Sequence, residues 1–329
     1  MNNTPVHHSY PLLGIDISKA TFDARLVLDS AHSHHQQFAN DAKGFAALDR
    51  WLAQHGVRRC YAGLEATGPY GHALLWHLHS HQHAVSLLNP RHVKDFARSQ
   101  GRRVKTDVAD AMVIAQFLRS HQPRLWSPPA PSIAQLQALV RRRHQLMVMM
   151  GAERNRLAQA PTCMKPGIRR LIGLLRKEVV SMDKSMAKLI IADTHLQKAE
   201  RLLRSIPAVG AQVAATILSE VPALSSFARA RDVAAFAGLT PSIHQSGTSV
   251  RRRGAMSKEG SALLRKMLFM AALNVAKRPD NPLHATFAAL VARGKAKASA
   301  IGAIMHKIIR IAFGVLKHET PFVPSLAKL

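Results

Sequence analysis

The chain has 329 residues, with 46 Lys and Arg against 19 Asp and Glu, for a formal net charge of +27. Its apolar fraction of 47% is that of a folded protein, and the basic excess calls for a polyanionic partner, because each cation placed at a phosphate releases condensed counterions. Two cysteines, Cys60 and Cys163, exclude a disulfide framework and fit a reducing compartment. The opening MNNTPVHHSYPLLG does not read as a signal peptide, and no apolar run reaches the roughly 18 residues that span a bilayer.

From Tyr10 to about His121 strands and helices interleave. YPLLGIDI reads as a buried strand ending in a carboxylate, and TFDARLVLD as its hairpin partner. GFAALDRWLAQHG has helical periodicity and stops at Gly56. VRRCYAGLEAT is a second strand ending in a carboxylate, PYGHALLWHLHSH a helix begun by Pro69, and AVSLL a third strand closed by Asn89-Pro90. This order predicts an α/β domain with a largely parallel sheet. PRLWSPPAP, with four prolines, reads as a linker. From Ser132 to about Arg204 the chain is almost all helix formers, a long helical arm interrupted at Pro161 and Pro166. Beyond Ser205 it turns to Ala, Gly and Arg, and SIPAVGAQVAATILSEV reads as helix, tight turn, helix. The expected domains are 8–125, 126–204 and 205–329.

The acids stand out in so basic a chain. Asp16 and Glu65 end apolar strands, and in open α/β sheets ligands gather outside the carboxyl ends of the strands. Asp107 and Asp110 lie at i and i+3 on a helix that Thr106 would cap, so they share a face. Four converging carboxylates repel unless a cation neutralises them, and hard oxygen ligands select Mg²⁺ or Mn²⁺. The plainer reading of Asp107 and Asp110 alone is dipole compensation at a helix N-terminus.

A second constellation runs from His244 to Leu268, HQSGTSVRRRGAMSKEGSALLRKML. Ser246-Gly247 reads as a turn presenting a hydroxyl. Arg251, Arg252, Arg253, Lys258, Arg265 and Lys266 follow, against one acid, Glu259. Arginines make bidentate contacts to phosphate, and a serine becomes a nucleophile only with a base or metal nearby. Composition alone favours a phosphate-backbone clamp. An earlier basic run leads into the acidic pair with Arg91, Lys94, Arg98, Arg102, Arg103 and Lys105, suited to steering nucleic acid toward it. The turn in SIPAVG exposes backbone N–H groups at a helix start, which suits phosphate oxygens. His77 and His81, at i and i+4, have transition-metal spacing, but no matching Cys or second carboxylate pair accompanies them in sequence. They read as solvent-facing helix residues.

GIDISKATFDARLV, LEATGPYG, NPRHVKDFARSQGRRVKTDVADA, SIPAVG, FAGLTPSIHQSGTSVRRRGAMSKEGSALLRKML and AFGVLKHETPF together resemble the insertion-sequence one-ten family of DEDD transposases, the bridge-RNA-guided recombinases, from about Leu13 to Phe322. The resemblance implies a RuvC-like N-terminal domain of the ribonuclease H fold, with Asp16, Glu65, Asp107 and Asp110 as a metal-binding tetrad. It implies a coiled-coil arm used in oligomerisation, as a homodimer or homotetramer. It also implies a mostly α-helical C-terminal domain with a catalytic serine, in which SIPAVGAQVAATILSEV, read on its own residues, resembles a helix–hairpin–helix. Ser246 falls on that position, with Ser249 the close alternative. The implied partners are donor and target DNA and a noncoding guide RNA, the implied cofactor Mg²⁺ or Mn²⁺, the implied chemistry a phosphoserine intermediate, and the implied setting the bacterial cytoplasm, at the nucleoid. Other readings are a pilin-type DNA invertase, a junction nuclease using the carboxylates alone, and a non-enzymatic nucleic-acid binder.

Overall fold

A computed structural model describes residues 10–66, 68–101, 107–221, 224, 227–246 and 250–324; the side chains of 69, 107–109, 242–246 and 250–255 lie outside the description. The chain divides into two compact units, Met1–Pro128 and Pro129–Leu329.

The first unit is a five-stranded mixed sheet of β1 (Leu12–Ile17), β2 (Thr21–Val27), β3 (Ser33–Ala39), β4 (Tyr61–Glu65) and β5 (Ala84–Leu88). The strand order is β3-β2-β1-β4-β5. The first three strands form an antiparallel meander, while β1, β4 and β5 run parallel. The parallel pairs need crossovers, and α1 (Ala42–Gln54) and α2 (His72–Ser80) supply them. β3 was not anticipated: SHHQQFA reads as a histidine cluster because its side chains are mostly polar, and only Phe38 among them is fully buried. It forms because Thr21–Val27 offers it a paired edge over its whole length.

Alternation along the strands separates the two faces. Leu13, Ile15, Ile17, Ala62 and Leu64 face α1 and α2, packing with Phe45, Leu48, Trp51, Leu74 and Leu78. The opposite face carries Gly14, Asp16, Gly63 and Glu65, and α4 (Asp107–His121) lies on it. A Cβ added at Gly14 would meet the Ala115 backbone nitrogen at 2.6 Å and the Ala111 carbonyl closer still. Only glycine lets helix and strand approach this closely. Where the chain leaves β5, α3 (Pro90–Ser99) starts at once, with Asn89 accepting a hydrogen bond from the Arg91 N–H at 3.0 Å.

The second unit is mostly helical. α5 (Pro131–Gln159) and α6 (Lys165–Ala192) form an antiparallel hairpin turned by a short 3-10 segment, Thr162–Met164, at the prolines expected to interrupt it. Leu146 and Met150 pack on Leu175 and Val179, and Arg143 reaches Asp183. The base of this hairpin shares one core with α7 (Thr194–Arg204), α8 (Ala211–Glu220), α9 (Ala230–Phe236), α10 (Ala262–Lys277) and α12 (Lys297–His318), through Leu136, Val140, Met186, Ile190, Leu203, Ile217, Leu268 and Ile308. α11 (His284–Ala292) lies beside α12. An antiparallel ribbon, β6 (Pro241–Ser246) and β7 (Val250–Met256), interrupts the helices. By length and mean hydropathy α12 is apolar enough to cross a membrane, although Lys307 and Arg310 interrupt its apolar residues, and half of its most apolar window is buried inside this unit. Its apolar residues Ile304, Ile308, Ile309 and Ala312 are core residues of a helical bundle.

Candidate active site and nucleic-acid interface

Asp16 and Glu65 are neighbours at the carboxyl edge of the parallel strands. The β1–β4 register pairs Ile15 with Leu64, so each carboxylate stands one residue beyond that pair, on strands about 4.8 Å apart. Asp16 follows Gly14 by two residues and Glu65 follows Gly63 by two. Both therefore project from the face on which α4 lies.

The direction of α4 decides whether its acids meet them. Its last turns, at Phe117 and Leu118, cluster with Tyr61 and pack by Leu12 and Ala84, the first residues of β4, β1 and β5. Just beyond the helix, the Pro123 carbonyl accepts hydrogen bonds from the Tyr61 hydroxyl at 2.9 Å and the Ser86 hydroxyl at 3.0 Å. The helix thus ends at the amino edge of the sheet and begins at the carboxyl edge. Ala111 marks where it crosses Gly14, and Asp110, half-buried, immediately precedes Ala111. Asp107 is the first residue of α4, and its side chain lies outside the description. The fold brings Asp16, Glu65 and the first turn of α4 to one edge and one face.

The same edge is flanked by cations. β5 pairs Leu88 with Glu65, and α3 leaves from there with Arg91, Lys94 and Arg98 exposed. Asp95 approaches Arg91 at 3.9 Å and Arg98 at 3.7 Å. These contacts are long and exposed, so they hold the cations weakly. Arg102, Arg103, Lys105 and Thr106 lie outside the described residues.

In the second unit Ser246 is the last residue of β6, paired with Val250 of β7; the strand end, rather than a free turn, carries it. Ser249 lies outside the described residues, and Arg251, Arg252 and Arg253 are on β7 with side chains outside the description. The ribbon's base is tightly built. A Cβ on Gly238 would strike the backbone of Glu259, and one on Gly260 would strike the Phe236 carbonyl; both glycines have positive φ. Arg265 holds this crossing, donating to the Gly260 carbonyl at 2.8 Å and the Ala237 carbonyl at 3.4 Å. Burial lowers its pKa, as expected for a cation drawn toward backbone. Lys258 is exposed at φ 58° beside it. The turn between α7 and α8 buries Ile206 and Val209. Gly210 begins α8 without a side-chain cap, so the first N–H groups of that helix have no partner from a capping side chain.

His77 and His81 depart from the sequence expectation. His77 is largely covered, and the carboxylate that sequence spacing did not reveal comes from α1: Asp49 Oδ2 lies 2.9 Å from His77 Nε2 and 3.7 Å from His81 Nε2. The three residues could hold a metal ion.

A half-buried acidic edge on an α/β sheet, flanked by a basic helix and followed by a strongly basic helical unit, defines an enzyme acting on nucleic acid. Comparison with known proteins makes this specific. Residues 13–163 match the IS110-type DEDD family described as "Transposase", and residues 200–288 match the "Transposase IS116/IS110/IS902 family". A pilin gene-inverting protein of Moraxella bovis is 32% identical over 94% of this chain and 97% of its own length, and its Moraxella lacunata counterpart is 31% identical over the same shares. A transposase for insertion sequence element IS1111A from Coxiella burnetii is 25% identical over 60% of this chain and 61% of its own. The chain belongs to the IS110 family of transposases. It is an enzyme acting on DNA, and membership of a DEDD family implies use of a divalent metal.

Proposed function

We propose that this transposase is an RNA-guided recombinase that cuts and rejoins donor and target DNA through a covalent link to Ser246. Asp16, Glu65, Asp107 and Asp110 form its metal site in a RuvC-like domain of the ribonuclease H fold. The observation that supports this best is the run of α4 from the carboxyl edge to the amino edge of the sheet, which starts its two aspartates beside the strand ends bearing Asp16 and Glu65. An all-oxygen donor set suits Mg²⁺ or Mn²⁺ and disfavours softer ions. When bound, such ions would neutralise the charge that builds on a phosphate under attack.

The chain's own residues do the rest. The Ser246 Oγ attacks the scissile phosphorus, forming an Oγ–P ester as a P–O bond to the adjoining nucleotide breaks. The departing oxygen takes up a proton and the serine loses one. A strand-end hydroxyl reverses the reaction on the exchanged strand and regenerates the serine, so bond energy is conserved without ATP. Arg251, Arg252, Arg253 and Lys258 hold phosphates beside the serine. Arg265 acts through the ribbon base it fixes. Arg91, Lys94 and Arg98, with Arg102, Arg103 and Lys105, guide nucleic acid to the carboxylates. The α7–α8 turn serves as a helix–hairpin–helix, offering the α8 N-terminus to phosphate. The 126–204 segment acts as a coiled-coil arm that assembles a dimer or tetramer on two duplexes, between the catalytic segment 8–125 and the serine segment 205–329. The guide is a noncoding RNA from the element's end, and the enzyme works in the cytoplasm, on the nucleoid.

Incubation of the protein with flanking noncoding RNA, cognate DNAs and Mg²⁺ gives a protein–DNA adduct mapping to Ser246. Ser246→Ala abolishes it, and Asp16→Asn abolishes it while RNA binding persists. Cleavage surviving in Ser246→Ala would leave a carboxylate-only nuclease. A second reading, a site-specific invertase, is favoured by the pilin gene-inverting relatives matched over nearly the full length. It predicts inversion of a segment between paired sites without any flanking RNA.

A further inference from the structure

We infer that Asp49, His77 and His81 form a Zn²⁺ site, separate from the acidic edge, that ties α1 to the end of α2. The three ligand atoms lie within 4.8 Å of one another. Four-coordinate Zn²⁺ with bonds near 2.0 Å sets its ligand atoms roughly 3.3 Å apart. The two distances from Asp49 Oδ2, 2.9 Å to His77 Nε2 and 3.7 Å to His81 Nε2, each lie within about half an ångström of that separation.

Ring orientation also fits. His81 Nδ1 stands 2.8 Å from the His77 carbonyl oxygen. A carbonyl only accepts, so Nδ1 carries the proton and Nε2 presents its lone pair. This is the arrangement by which outer partners fix the tautomer of a ligating histidine. His77 Nε2 faces the carboxylate directly, and a cation would replace the proton the pair now shares. His83, close by, is not a ligand: its Nδ1 accepts from the buried Cys60 N–H at 3.2 Å. Side-chain exposure rises from 19% at His77 through 30% at Asp49 to 50% at His81, so the fourth position opens to solvent.

The location separates this site from the proposed catalytic one. α2 ends where β5 begins, at the amino edge of the parallel strands, and α1 and α2 cover the face opposite α4. One imidazole pair and a single carboxylate suit Zn²⁺, whereas the carboxylates at the other edge suit harder ions.

The test titrates the full-length, tag-free protein with Co²⁺ in excess Mg²⁺, which masks all-oxygen sites. The visible spectrum reads four-coordinate cobalt, and Zn²⁺ then displaces it. One equivalent is expected to bind. Asp49→Asn and His81→Ala are each expected to weaken binding by at least about tenfold, the lower bound for disturbing even an outer-shell partner. His318→Ala, an exposed histidine in the other unit, is the control and leaves binding unchanged. His81 is half-exposed, so its variant should keep the wild-type circular dichroism melt without metal. No saturable four-coordinate signal, or a signal untouched by Asp49→Asn and His81→Ala in folded protein, overturns the site and leaves Asp49–His77 a simple ion pair.

Discussion

Gly14→Ala tests whether the placement of α4 governs cleavage. The new methyl would meet the Ala115 nitrogen at 2.6 Å and the Ala111 carbonyl closer still, and both are backbone atoms. Neither can rotate away, so α4 must retreat about 1 Å or β1 must bow before the contact becomes tolerable. Overpacking of this kind costs about 1–3 kcal/mol, which a chain of this size can survive. Displacing a reacting group by about 1 Å costs roughly 100-fold in rate, or about 2.7 kcal/mol in activation free energy. The expected result is a folded protein whose urea midpoint falls modestly, whose RNA binding is near normal, and whose single-turnover strand cleavage falls about 100-fold. Gly63→Ala supplies the comparison. The three atoms nearest its methyl would all belong to the Leu118 side chain, at 2.8 and 3.0 Å, and Leu118→Ala in the same protein relieves that clash. A Gly14→Ala protein that cleaves at the wild-type rate despite the same loss of stability would show that the first turn of α4 takes no part in the chemistry.

Cys60 is buried and its thiol is pushed up to about 12, by burial first and the charge of Asp49 second, whereas Cys163 is exposed. A thiol reagent at mildly alkaline pH should therefore label one cysteine quickly, and Cys163→Ser should remove that phase. Because the folded pKa of Cys60 exceeds the ordinary 9.0 of an unfolded thiol, its contribution to stability is complete below pH 9 and is lost as pH rises toward 12. Urea titrations of Cys60→Ala should show a shallower alkaline decline than wild type. Arg141 on α5 donates to Glu220 at 3.0 Å, and the Glu220 side chain is only 5% exposed. Removing the half-exposed arginine strands a buried carboxylate, at a cost of about 1–3 kcal/mol once solvent screening is allowed for. Arg141→Ala/Glu220→Gln should recover most of that loss in a double-mutant cycle. Ser261 caps α10 by accepting from the Leu264 N–H at 3.2 Å, and Ser261→Ala should cost about 1 kcal/mol in the same denaturation assay.

Much of the architecture was legible because burial leaves a period in the sequence. Ile15, Ile17, Ala62 and Leu64 are buried together on one face, so β1 and β4 announce themselves as apolar runs. The long helices α5 and α6 follow from helix formers between prolines. β3 was hidden because an edge strand needs only one apolar side chain facing the core, and Phe38 alone does not make a pattern. The β6–β7 ribbon was hidden for a related reason. HQSGTSVRRRG holds a single large apolar residue, Val250, and what stabilises the base of the ribbon is a backbone crossing at Gly238 and Gly260 plus one arginine reaching two carbonyls.

The candidate site divides the same way. That Asp16 and Glu65 end strands can be read residue by residue, and parallel pairing then makes them neighbours. Which end of α4 approaches them cannot be read so, because i and i+3 spacing is the same in either direction along a helix. The direction comes from contacts far apart in sequence: Phe117 and Leu118 against the starts of β1, β4 and β5, and Pro123 held by Tyr61 and Ser86. Asp49 shows the limit most plainly. Twenty-eight residues separate it from His77, and only the packing of α1 beside α2 over one sheet face brings its carboxylate to both imidazoles. Strand-end acids follow the pleat and can be found from pattern. Ligands contributed by two helices depend on how those helices cross, and no local period records a crossing.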